Sequence, residues 1–165
     1  MLHKKLTGFT IVELLIVIVV IGILASIIVV AYSGVTSKAS DSQREADISA
    51  VHKFLEAYFV LNGHYMKSDN FLDANASASL SSGPLAGLTP AALRGPGAAS
   101  GVVSSFVQSS GSLSATNDYA IETFVDSGTT SCQGVGYSDS QCGRYELYYR
   151  LTDGTTVQVD SNQGQ

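Results

Sequence analysis

The sequence predicts an α+β protein: one long N-terminal helix, apolar in its first half and amphipathic in its second, packed by a small C-terminal antiparallel β-sheet head. Three observations predict it. Leu14 to Ala31 contains no charge and no proline, which meets the roughly 18 residues of a membrane-spanning helix. Apolar residues then recur at helical spacing from Ser33 to about Leu61. Two runs near the C-terminus alternate in the strand period and meet at Asp153-Gly154.

The bulk numbers bound what this architecture can be. A chain of 165 residues holds one modest domain, or one domain plus an appendage. Its 9 Lys+Arg against 14 Asp+Glu leave a net charge of −5. Passive nucleic-acid binders neutralise phosphates with clustered cations, so that class is disfavoured. Both cysteines, Cys132 and Cys142, lie far beyond the apolar run. An even count there favours an extracytoplasmic disulfide over two free thiols.

The N-terminal run is longer than the core of an ordinary secretory signal, about 7–15 residues, and no clean small-residue cleavage site follows it. Lys4 and Lys5 precede the run, and neutral residues follow Tyr32. The positive-inside bias therefore predicts a cytoplasmic N-terminus, with everything after Tyr32 outside. Glu13 is the anomaly. Seventeen Leu, Ile, Val and Phe residues lie between Phe9 and Ala31. At roughly −0.3 to −0.6 kcal/mol each they outweigh about 3 kcal/mol for one central acid. Position alone leaves two readings of Glu13: a carboxylate that snorkels to the headgroups, or one with a functional partner.

Gly8 followed by Phe9-Thr10-Ile11-Val12-Glu13-Leu14, after a short basic leader, resembles the processing site of type IV pilins and related pseudopilins. The resemblance implies that a prepilin peptidase removes residues 1–8 by cutting between Gly8 and Phe9, and that Phe9 is then N-methylated. It implies that Glu13 pairs with the free amine of Phe9 in a neighbouring subunit. Physically, two costly charges in an apolar layer become one satisfied pair when subunits are staggered. The implied partners are other copies of the chain, minor pilins, the peptidase, the inner-membrane assembly platform, and lipid before assembly. One departure stands out: many pilins carry proline two residues before the tyrosine that Tyr32 resembles, where this chain has Val30. The helix is therefore expected to stay straighter, with any local melting starting at Gly22 or near Ser26.

Beyond the apolar core (residues 9–32) comes the head, residues 33–165. Val35, Ala39, Ala46, Ala50, Phe54, Ala57 and Leu61 are expected on the apolar face of a helix over 33–61, widened by Val51, Leu55 and Tyr58. Asp41, Arg44, Glu45, Asp47, Lys53 and Glu56 are expected mainly on its other sides. Asn62-Gly63 reads as the stop, so Phe9 to Leu61 predicts one helix of roughly 80 Å. The phrase ending in Asn62-Gly63-His64-Tyr65 also resembles the end of the pilin helix. Residues 66–117, rich in Ala, Ser and Gly with breakers at Gly83-Pro84 and Gly95-Pro96, correspond to the pilin variable loop. Short helical turns are expected at Leu85–Leu93 and Val102–Gln108. In 118–165, strands are expected at Tyr119–Val125, Tyr145–Leu151 and Thr155–Val159, giving three antiparallel strands over the helix. A Cys132–Cys142 disulfide would close the loop between the first two.

Motifs for catalysis are missing from the sequence. His52 and His64 lack ligand-spaced neighbours, Gly134-Val135-Gly136 lacks the context of a dinucleotide loop, and no nucleophile elbow occurs. No enzyme activity, metal or cofactor is expected. Asn75-Ala76-Ser77 fits the glycosylation pattern, though chance accounts for it better in a Ser-rich loop. The expected function is a structural subunit of a type IV pilus, for adhesion, motility or DNA uptake. The alternative is a pseudopilin of a type II secretion or competence system, a kind that tends to carry a calcium-binding loop; no acid-rich loop is evident after Asp118, which tilts toward a pilus. A single-pass membrane-anchored binding domain or enzyme is the third reading, and it leaves the Gly-Phe-x-x-x-Glu spacing unexplained.

Overall fold

The computed structural model describes residues 9–76, 85–96, 98, 105–114, 118–125 and 129–163. It forms two compact units, Met1–Lys38 and Ala39–Gln165. Helix α1 runs from Ile11 to Asn62 and supplies residues to both. No glycine or proline lies between Val35 and Asn62, so nothing interrupts the hydrogen-bond ladder there. The stop falls where the sequence puts it. Gly63 takes φ +77°, which favours glycine, and its N–H donates to Phe59 O at 2.7 Å.

In the first unit, every large apolar side chain described from Phe9 to Val35 is between 48% and 84% exposed. In the second, α1 buries Ile48, Val51 and Leu55 against the sheet. Each such burial contributes about 1.5–3 kcal/mol. Val35, Ala39, Ala46, Ala57 and Leu61, expected on the buried face, are exposed instead, whereas Arg44 and Asp47, expected toward solvent, are buried. The face is thus rotated by about one residue from the apolar pattern. Polar partners on the sheet draw Arg44 and Asp47 inward, as the contacts below make plain.

The sheet has four strands in the order β1-β2-β3-β4: Phe106–Val107, Tyr119–Val125, Cys142–Arg150 and Thr156–Asp160. The last three are antiparallel, as the alternation predicts. β1 pairs parallel with β2, Phe106 opposite Tyr119, so the sheet is mixed. This corrects the expectation of helical turns over Val102–Gln108: residues 102–104 lie outside the described residues, and Phe106–Val107 is strand. Phe106 covers an aromatic row with Phe71 and Tyr119, centroids 5.2 and 5.0 Å away, which a two-residue strand is too short to announce by periodicity. Helix α2, Ser68–Ala76, is a second correction, because it lies where a loop is expected. It buries Phe71, and Ser68 N donates to buried Thr123 Oγ1 at 3.0 Å. The expected turn near Leu93 is present as a 3₁₀ helix, Pro90–Leu93. The β3–β4 hairpin closes at Gly154, φ +91°, with Thr155 N–H donating to Asp153 Oδ1 at 2.8 Å.

Candidate functional site

The candidate site is the start of α1. Thr10 is its N-cap: Glu13 N–H donates to Thr10 Oγ1 at 3.3 Å, while Glu13 Oε2 accepts from Thr10 N–H and Thr10 Oγ1–H, both at 2.8 Å. This reciprocal pair is a capping box, the T-x-x-E pattern with its acid at the third helical position. The Thr10-Ile11-Val12-Glu13 spacing carries that signal, yet reading Glu13 only as an anomaly in an apolar run misses it. The carboxylate that costs most in this segment has a local partner inside its own chain. Its negative charge also sits at the positive end of the helix. Phe9 stands one residue outside the cap and is 84% exposed. Gly8, the other half of the expected cleavage site, lies outside the described residues.

Downstream, the apolar stretch of α1 carries no ion pair among the described residues. Its polar groups turn back on the helix: Ser26 Oγ–H donates to Ile23 O at 2.7 Å, and Thr36 Oγ1–H to Tyr32 O at 2.9 Å. Gly22 has open space where a side chain would be. The helix is continuous through Val30. Chemically this segment can do one thing well: present a wide apolar surface, with one capped carboxylate at its start, to lipid or to other apolar helices.

The second unit is a scaffold fastened by polar contacts along α1. Asp41 Oδ1 accepts from Thr152 N–H at 2.8 Å, and the Thr152 hydroxyl and Arg44 hold its carboxyl below the usual range. Arg44 Nη2 reaches buried Asp118 Oδ1 at 3.3 Å. Asp47 accepts from Tyr119 OH at 2.7 Å and Gln43 Nε2 at 2.8 Å; burial pushes its carboxyl up against the pull of those two bonds. About two and a half turns further, Glu56 Oε1 accepts from Tyr145 OH at 2.8 Å, Tyr65 OH at 3.0 Å and Asn162 N–H at 3.1 Å. His52, one turn from Glu56, has Nδ1 2.7 Å from Tyr145 OH. His64 Nδ1 lies 3.2 Å from Tyr65 O. The two histidines thus serve packing and the backbone, and among the described residues no group of three His, Cys, Asp or Glu is placed to hold a metal ion.

Cys132 and Cys142 form a disulfide with Cα atoms 5.7 Å apart. The loop it closes is also pinned by Lys67, whose Nζ donates to Gly134 O at 2.8 Å and Tyr137 O at 3.3 Å. A cavity of about 490 Å³ opens beside it, lined by Lys67, Asp69, Asp73 and Val135 among others. Its lysine is already engaged, so it offers no free cation. Asn75 falls in the last turn of α2; its side chain and Ser77 lie outside the described residues.

Comparison with known proteins agrees with the N-terminal geometry. Residues 4–29 match the family model described as the prokaryotic N-terminal methylation motif. The chain is 36% identical over 74 residues to type II secretion system core protein G of Aeromonas hydrophila, covering 45% of this chain and 52% of that one. To the protein of the same name from Vibrio cholerae it is 38% identical over 71 residues, 43% of this chain and 49% of that one. To that of Escherichia coli it is 36% identical over 74 residues, 45% and 51% respectively. The chain thus spans about half the length of the curated relatives it matches. No solved structure matches it. The methylation motif at the start of a long exposed apolar helix, the α+β architecture and these likenesses are features the chain shares with type IV pilin-like proteins.

Proposed function

We propose that the chain is a filament-forming structural subunit of the pseudopilin kind, serving a type II secretion system. The sequence favours a pilus subunit; the relatives are named for type II secretion, and this supports the pseudopilin reading better. The observation that carries the proposal is the exposed apolar face of α1 with a single carboxylate, Glu13, at its start. In this reading residues 1–8 are a leader, cut between Gly8 and Phe9 by a prepilin peptidase, and Phe9 is N-methylated. The subunit waits in the membrane with its N-terminus in the cytoplasm and its head outside. It then leaves lipid for a filament of copies of itself, on an inner-membrane assembly platform and with minor subunits. An apolar helix moves between lipid and a helical bundle at small cost, because both surroundings are apolar.

Glu13 supplies register in this reading. The Thr10 cap satisfies the carboxylate while the subunit is alone. Cleavage then adds an amine at Phe9, and a neighbour's amine gives Glu13 a charged partner stronger than a neutral donor. Glu13→Ala is the test. Insertion and cleavage should persist, since removing a charge only favours the bilayer, while filament yield should fall sharply. Normal filament yield from Glu13→Ala would sink the pairing.

A further inference from the structure

The two edges of the sheet are unlike. β1 is only two residues long, which blunts that edge. β4, Thr156-Val157-Gln158-Val159-Asp160, pairs with β3 on one side and with nothing among the described residues on the other. It contains no lysine, no proline and no bulge, the usual devices that guard an open edge. Two backbone bonds bracket its ladder: Leu151 N–H donates to Thr155 O at 2.8 Å, and Ser161 N–H to Tyr145 O at 3.1 Å. Because hydrogen-bonded positions alternate in an antiparallel pair, Val157 and Val159 turn their N–H and C=O toward β3. Those of Thr156, Gln158 and Asp160 face the open edge. Val157 and Val159 meanwhile pack on the core but stay only half-buried.

The geometry points to a second copy of this chain as the occupant of that edge, its β4 pairing antiparallel across a two-fold axis at Gln158. Centring the axis there uses all five residues. Gln158 meets its own mate, Thr156 meets the mate of Asp160, and all are positions whose backbone groups face outward. Val157 then lies opposite the second copy's Val159, so the half-covered valines of both copies close on one another. Charge agrees with this register. Within one sheet Glu122 lies opposite Glu146, and Glu146 opposite Asp160, three acids in a row, of which Glu146 is paired with Arg144. In the pairing that row continues through the second copy's Thr156 to its Arg150, because Arg150 is opposite Thr156. Arg150 makes no ion pair among the described residues. Strands about 4.8 Å apart put it roughly 10 Å from Asp160, a modest attraction in place of a fourth acid. A homotypic edge of this kind is isologous and closed. Since the axis reverses strand direction, the contact joins heads of two filaments or two free subunits rather than successive subunits of one polar filament. It therefore stands apart from the assembly role of α1.

Site-directed cross-linking of the full chain in detergent tests the register. The native cysteines are paired, so an introduced thiol is the one that reacts. Gln158→Cys should shift to a dimer with a short bis-maleimide, while Thr156→Cys and Asp160→Cys should each stay monomeric alone and cross-link when mixed. Gln158→Lys, which sets two ammonium groups face to face, should abolish the dimer measured by light scattering. No dimer from Gln158→Cys, or equal cross-linking at all three positions, overturns the pairing.

Discussion

Replacing Gly95 by alanine probes how the head is fastened to α1. A Cβ on Gly95 would lie 1.9 Å from Asp118 Oδ2 and 2.6 Å from its Cγ. The obstacle is not a flexible tip: the Asp118 side chain is 3% exposed and its Oδ1 receives Arg44 Nη2 at 3.3 Å. The pressed oxygen, Oδ2, has no hydrogen-bond partner, so it yields first and drags the carboxylate off Arg44. Overpacking of this kind costs about 1–3 kcal/mol. Full removal of one partner of a buried ion pair costs about 3–5 kcal/mol; here only part of that applies, because Arg44 keeps Asp41 at 2.9 Å. Gly95→Ala should therefore destabilise the head by about 2–4 kcal/mol. At about 4 °C per kcal/mol for a domain of this size, Tm should fall by about 8–16 °C. Thermal and urea unfolding followed by near-ultraviolet circular dichroism measure it. The decisive comparison is a double-mutant cycle: in an Asp118→Gly background the Oδ2, Cγ and Cβ atoms that a side chain on Gly95 would meet are all gone, and Gly95→Ala should cost less than about 1 kcal/mol. An equal cost in both backgrounds would refute the argument.

Two further outcomes follow from the core. Tyr119, Tyr145 and Tyr65 have phenols pushed far above their ordinary value of 10.0, by burial first and then by bonds to Asp47 or Glu56. A raised folded pKa means that the unfolded state releases its protons first, so stability is fully present below about pH 10 and falls as pH rises above it. In a spectrophotometric titration a fraction of the tyrosinate absorbance should appear only together with unfolding; smooth ionisation of every tyrosine near pH 10 in folded protein would contradict this. Removing the disulfide as Cys132→Ser with Cys142→Ser opens a loop of sequence separation 10. The expected loss is about 3 kcal/mol; an unchanged urea midpoint would show that Lys67 and its neighbours hold the loop by themselves.

The fold was legible where periodicity is strong. The uninterrupted α1, its stop at Asn62-Gly63, the alternation of Tyr145, Leu147 and Tyr149, and the Asp153-Gly154 hairpin are each fixed by neighbours close in sequence. What escaped depends on distant partners. Arg44 and Asp47 look like solvent-facing charges until Asp118, just before β2, and Tyr119, its first residue, arrive from 74 and 72 residues away. β1 is too short to show a period, and α2 lies in a stretch whose composition reads as loop. At the candidate site Glu13 was visible as an expensive acid. Its bond to Thr10 follows from a local capping pattern that the apolar run masks. The open edge of β4 belongs to tertiary structure alone, since strand order is not written in any one segment.

The central claim is that α1 begins at a processed Phe9 and is the surface by which the chain assembles. Intact-mass measurement of the protein from its native membranes, with sequencing of its N-terminal peptide, tests this most directly. The account predicts a chain lacking residues 1–8 and starting at N-methylated Phe9. A chain that retains Met1, or one cut after Ala25 or Ala31, would contradict it.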